Sequence, residues 1–109
     1  MYAKKYLHSR FILDLIHKHN IFALHRNHYP DKDIWFYSGY VFDTELTGEG
    51  RAVCEVTEEL LSYIDVLVDG EFIEEQKNLR LRFRGSENQR IIDVRASLSS
   101  GKTVLYELP

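Results

Sequence analysis

The sequence predicts a single α/β domain over residues 1–109. Two apolar runs bounded by turn residues, over 33–37 and 64–69, read as strands buried on both faces, the kind found in parallel sheets. The stretch between them is long enough for a right-handed crossover connection. An apolar repeat at spacings of three and four precedes the first run, as on one face of a helix.

The elements follow in order. Leu7, Phe11, Ile12, Leu15, Ile16, Phe22 and Ala23 make the helical stripe, predicting a helix over about residues 9–27. Asn20 is a point where it could loosen, because Ile21 and Leu24 fall off the stripe. Pro30-Asp31 is the stop. The run Asp33-Ile34-Trp35-Phe36-Tyr37 is the first strand, and Ser38-Gly39-Tyr40 turns out of it. Residues 41–46 suit one or two helical turns. Thr57 is a fair N-cap for a short helix through Tyr63, with Glu58 and Glu59 at the positive end of its dipole. The second strand closes at Asp69-Gly70, and residues 72–77 suggest a helical turn. Leu79, Leu81 and Phe83 alternate with Arg80, Arg82 and Arg84, which predicts a half-exposed strand over 79–84. Shorter strands are expected near 91–94 and 102–107, with a turn at 97–101.

Composition excludes several classes. A net charge of −3 argues against a nucleic-acid binder, which carries a basic excess or stripe. The cations gather only at Lys4, Lys5 and Arg10, and again around Arg80, Arg82, Arg84 and Arg90. No apolar run reaches the length of a membrane span, and no secretory signal follows the basic start. The single cysteine, Cys54, forms no internal disulfide, is compatible with a reducing cytoplasm, and is too few for an iron–sulfur or zinc site.

Few residue groups carry chemistry. His8, His17, His19, His25 and His28 fall in the first helical segment, where a solvated polar face accounts for them. His25 and His28 would share a helix face and are the pair a metal would use. Cys54 stands among Glu55, Glu58 and Glu59, which would raise its thiol pKa, so it reads as a packing cysteine. Asp69 could bind a cation or a ribose hydroxyl at a strand end, or cap the turn made with Gly70. Arg84-Gly85-Ser86-Glu87-Asn88-Gln89-Arg90 has no apolar side chain and far more hydrogen-bonding capacity than a plain turn needs. It could grip a carboxylate or phosphate through its arginine forks, or be a solvated loop with surface ion pairs.

Three motifs stand in a telling order: Pro30-Asp31-Lys32-Asp33-Ile34-Trp35 with Ser38-Gly39-Tyr40, then Asp65-Val66-Leu67-Val68-Asp69-Gly70-Glu71-Phe72, then Arg84 to Arg90 with Ile91-Ile92-Asp93. Together they resemble the anaerobic ribonucleoside-triphosphate reductase activating proteins, small radical S-adenosylmethionine enzymes. The resemblance implies the later strands of a partial (βα) barrel, and so an incomplete one here. It implies reductive cleavage of S-adenosylmethionine by a [4Fe-4S] cluster, with a glycyl radical formed on the partner reductase. The family's CxxxCxxC cluster motif and the glycine-rich turn after it are absent from this sequence. The chain therefore resembles the carboxyl-terminal part of an activating protein and is expected to be inactive alone.

By position, the resemblance makes Ser38, Gly39, Tyr40, Asp69, Arg84, Ser86, Asn88, Gln89 and Arg90 the candidate cofactor-binding residues, with no catalytic or metal-ligating residue. Related activases carry Asp-x-Lys at the strand tip where this chain reads Asp69-Gly70-Glu71. The implied partner is the large subunit of the reductase, in the cytoplasm. Self-association through an unpaired first strand is also expected. Two other readings stay open: a cluster-free module that docks on the reductase, and an unrelated small anion-binding α/β domain.

Overall fold

The computed structural model describes residues 9–50, 53 and 56–109, and for 9–15 the backbone alone. The Lys4, Lys5 and Arg10 cluster, His8 and Cys54 lie outside the described residues or side chains, as do Leu7, Phe11, Ile12 and Leu15 of the helical stripe. The elements run α1 (Ser9–His28), β1 (Trp35–Tyr37), α2 (Phe42–Glu45), α3 (Thr57–Tyr63), β2 (Val66–Asp69), β3 (Arg90–Asp93) and α4 (Val94–Ser100), with a 3-10 turn at Glu74–Gln76.

The sheet is three-stranded and mixed, in the order β1-β2-β3. β1 and β2 are parallel, Trp35 opposite Val66 and Tyr37 opposite Val68, as the two apolar runs predict. β3 returns antiparallel to β2, pairing Leu67 with Ile92 and Asp69 with Arg90. This mixed α/β sheet is a coarser result than the partial barrel implied by the resemblance.

Alternation along the strands divides the interior in two. Ile34, Leu67 and Ile92 face the helices and pack with Phe42, Leu46, Leu60, Leu61, Ile64 and Val94, joined by half-buried Phe22 and Phe36. Val66, Val68 and Ile91 form the other layer with Trp35, Tyr106 and Leu108. β2 is therefore buried on both faces along its whole length, as expected. Fully burying side chains such as Leu67 and Ile92 contributes about 1.5–3 kcal/mol each.

Several expectations are corrected. β1 is not buried on both faces: it is the edge of the sheet, and Tyr37 is 56% exposed. No strand forms over 79–84. The alternation is present in the letters, but neither face meets a core, Leu79 is 88% exposed, and Phe83 takes φ +64°. Instead, an isolated bridge between Lys77 and Ser86 closes the base of a loop.

The turn expected at 97–101 is the end of helix α4. Asp93 caps its start by accepting from the Ala96 N–H, and left-handed Gly101 ends it. Val56, not Thr57, holds the N-cap position of α3, and Thr57 is buried in its first turn. The last expected strand reduces to one bridge, Ile92 to Leu105. α1 runs unbroken through Asn20. Ile21 and Leu24 are exposed as their phase predicts, but Ile16, assigned to the stripe, is exposed too.

Candidate functional site

Because β1 and β2 are parallel, their carboxyl ends lie together, and antiparallel β3 begins at the same end. The Ser38–Tyr40 turn is stitched to the end of β2. The Ser38 N–H donates to Val68 O (3.2 Å) and the Gly70 N–H to Tyr40 O (3.0 Å). Ser38 Oγ donates to Tyr40 O (2.9 Å) and accepts from the Tyr40 N–H (3.0 Å), which shapes the turn. Gly39 at its tip has φ +72° and nothing within 4 Å of where a Cβ would stand.

Asp69 is 1% exposed, so its carboxylate must be compensated from within. Oδ2 accepts from the Phe42 N–H (2.8 Å) and Arg90 Nη2 (2.6 Å). Oδ1 accepts from the Arg90 N–H (3.2 Å) and Arg90 Nε (3.2 Å). Arg90 reaches on to Asp43, with Nη2 3.0 Å from Oδ1, and Thr103 Oγ1 donates to Asp43 Oδ2 (3.3 Å). The hydrogen bond from Arg90 holds the Asp43 carboxyl below its ordinary range. The bond to Asp69 in turn raises the Arg90 guanidinium above its ordinary value, so that side chain stays charged. Beside this chain of ions, residues of α2 and the 97–103 segment line an open cavity of about 300 Å³.

The Arg84–Arg90 run folds onto its own backbone and onto the strand end. Gln89 Oε1 accepts from the Gly85 N–H (2.9 Å) and the Ser86 N–H (3.1 Å), while Nε2 donates to Gly70 O (3.1 Å). Arg84 Nη1 donates to the carbonyls of Glu87 and Gln89. Ser86 Oγ donates to Asn88 Oδ1 (2.6 Å) and accepts from the Ile73 N–H (3.2 Å). Asn88 Nδ2 donates to Glu71 O (2.8 Å). The structure thus brings all nine candidate residues to one end of the sheet. The donors and acceptors of Asp69, Gln89 and Arg90 are directed at the chain itself.

A second clamp stands at the opposite end of β2. Asp65 Oδ2 accepts from Arg26 Nη2 (2.7 Å) and the Ile34 N–H (2.9 Å), and Oδ1 accepts from Arg95 Nε (2.6 Å). Burial pushes the Asp65 carboxyl up, but the bonds from Arg95, Arg26 and Ile34 outweigh it, and its pKa falls below the ordinary value. Sequence reasoning missed Arg26, Asp43, Asp65 and Arg95 as working residues. The available signal was a carboxylate at each end of one apolar strand, Asp65 and Asp69.

The described histidines form no common cluster. His19 Nε2 lies 3.2 Å from Glu59 Oε2 and its ring meets Tyr63 edge-on at 5.4 Å, while His25 and His28 each stand beside Tyr29. Glu59 also accepts from Tyr63 Oη (3.0 Å). Among the described residues no group of three or more histidine, cysteine, aspartate or glutamate side chains could hold a metal ion. No helix of the described residues is long and apolar enough to cross a membrane.

Comparisons with known proteins agree with these motifs. The family described as "4Fe-4S single cluster domain" matches residues 12–92. The chain is similar to the anaerobic ribonucleoside-triphosphate reductase-activating protein of Haemophilus influenzae, 52% identical over 62 residues, which is 57% of this chain and 35% of that protein. The protein of the same name from Vibrio cholerae matches to the same extent. That of Enterobacteria phage T4 is 33% identical over 75 residues, 66% of this chain and 39% of the relative. The chain thus spans little more than a third of the length of the curated relatives it matches. No solved structure matches it.

The family description implies a [4Fe-4S] cluster, and the donors here do not fit one. Such clusters are held by cysteine thiolates, commonly about four. This sequence has one cysteine, and buried Asp69 and half-buried Asp65 already face arginines.

Proposed function

The chain belongs to the 4Fe-4S single cluster domain family, and on that premise we propose that it supplies the scaffold and the reductase-facing part of an activating protein for an anaerobic ribonucleoside-triphosphate reductase. The name shared by its relatives supports the partner. The observation that carries the reading is the meeting of one part of each motif, Ser38–Tyr40, Asp69-Gly70 and Gln89-Arg90, on one strand end.

Residues 1–109 act as one domain in this reading. Ser38, Gly39, Tyr40 and Asp69 form the frame against which S-adenosylmethionine lies in the complete activase. Arg84, Ser86, Asn88, Gln89 and Arg90 hold that frame in shape through the contacts described above. The radical step, cleavage of S-adenosylmethionine and formation of a glycyl radical, requires thiolates that this sequence does not offer. No part of that step falls to its side chains, and this polypeptide is inactive by itself. It works in the cytoplasm, with the reductase large subunit as partner.

The anion-binding alternative has less support. Arg90 directs its donors at Asp43 and Asp69, and Arg84 commits Nη1 to the carbonyls of Glu87 and Gln89, which leaves only the Nε and Nη2 side of Arg84 for a phosphate.

The test has two arms. The purified chain is treated anaerobically with iron and sulfide, and its visible absorption and iron content are read. The same chain is passed over immobilised reductase large subunit. We expect no cluster and clear retention. A brown, iron-loaded product or turnover of S-adenosylmethionine overturns the assignment of inactivity, and absence of retention overturns the partner.

A further inference from the structure

We infer that the loop over residues 79–84 is the docking element through which the chain grips the reductase, and that it fits an acidic surface segment with an apolar recess. The inference rests on the partner proposed above.

The loop presents two apolar side chains to water. Leu79 is 88% exposed and Phe83 50%. A lone exposed apolar residue is ordinary; a rigidly presented pair set among cations is less so. Phe83 holds φ +64°, a conformation that is strained for a non-glycine residue and persists only when its surroundings impose it. They do: Tyr37 Oη donates to Phe83 O (2.7 Å), and the Phe83 ring stands 5.2 Å from Trp35. The bridge from Lys77 to Ser86 and the Asn78 N–H to Gly85 O bond (3.1 Å) close the base. The loop is therefore preorganised, which lowers the ordering cost of binding.

Charge selects the partner. Arg80 has no carboxylate partner among the described residues, and Lys77 is exposed at the loop base. Arg82 donates to Pro109 O (2.9 Å) and lies 5.6 Å from the centre of the Phe83 ring. In a chain of net charge −3, this is a local basic field around apolar anchors. Such a field steers and holds an acidic surface.

The experiment uses the whole chain and the reductase large subunit, with affinity measured at low and moderate salt. The test variant is Leu79→Ser with Arg80→Glu, two exposed positions, and its thermal midpoint is expected to match that of the parent. The control is Leu24→Ser on α1, across the sheet. We expect affinity to fall with salt, to drop at least about tenfold in the loop variant, and to hold in the control. Equal binding by loop variant and parent overturns the docking role and leaves the proposed function standing. No binding by the parent removes both. Co-sedimentation with phosphatidylserine vesicles, lost in the loop variant while reductase binding persists, would assign the loop to a membrane surface and overturn the inference. So would loss of a self-dimer alone.

Discussion

Arg90 and Asp69 face each other across the β2–β3 pairing and are joined through three separate donors of the arginine, its main-chain N–H, Nε and Nη2. The ion pair and the sheet register are thus one object. Slipping β3 by one residue would move Ile92 out of the helix-side core and strand the Asp69 carboxylate. The pair also reaches sideways, because Asp69 accepts from the Phe42 N–H and Arg90 holds Asp43 in α2.

Removing the cation should therefore cost more than removing the charge pair. Arg90→Leu leaves a buried carboxylate without its counter-ion and is expected to destabilise the chain by about 3 kcal/mol. Adding Asp69→Asn to Arg90→Leu should recover part of that loss, because the amide needs no counter-ion. Urea unfolding of the parent, the two single variants and the double variant measures the coupling. Additive losses would show that the pair does not act as a unit.

Gln89 ties the polar run to the strand end. Its amide serves three backbone groups, the N–H of Gly85 and of Ser86 and the carbonyl of Gly70. Gln89→Ala should cost about 2–3 kcal/mol, since buried backbone groups lose partners. Gln89→Glu keeps the acceptor but turns an oxygen toward Gly70 O, so it should be no better. Amide hydrogen exchange at Gly85 and Ser86 should speed up in both variants while exchange in α4 changes less.

What the sequence disclosed divides by physical type. The parallel pair at Trp35–Tyr37 and Val66–Asp69 was legible from its apolar runs, and the helix Thr57–Tyr63 from Thr57 and the acidic pair Glu58 and Glu59 at its start, although Val56 takes the N-cap position. The alternation over 79–84 was misleading, because period two makes a strand only where a partner edge exists, and here the chain turns over Trp35 instead. The reading of 97–101 as a turn missed the helix that ends there, whose N-cap is Asp93, the residue that also ends β3. In the site, the nine residues were legible as a group. Their pairing was not, since Arg90 meets Asp43 only because two distant turns converge.

Acid should act on the clamp at the other end of β2. The Asp65 carboxyl is held below its ordinary value of 3.8, by Arg95, Arg26 and the Ile34 N–H against the cost of burial. A depressed folded-state pKa means the contribution is fully present above the ordinary value and is lost as pH falls through the lower folded one. Asp65→Asn should thus lower the thermal midpoint near neutral pH, and the gap to the parent should narrow in strong acid. A gap that stays constant across that range would rule out Asp65 as the titrating group.

The exposed side of β1 carries the last prediction. The strand lies at the sheet edge among the described residues, and its Tyr37 side chain is half in water. At three residues the edge of Trp35, Phe36 and Tyr37 is short, which limits pairing, but it carries no charge or proline to discourage another strand. The chain should therefore self-associate as its concentration rises, with apparent mass in light scattering moving from monomer toward dimer. Tyr37→Lys places a charge on that edge at an exposed position and should return the chain to monomer. It should cost only about 1 kcal/mol, for the lost hydrogen bond to Phe83 O. A parent chain that stays monomeric at every concentration removes the edge-pairing argument, and a Tyr37→Lys dimer would move the contact to another surface.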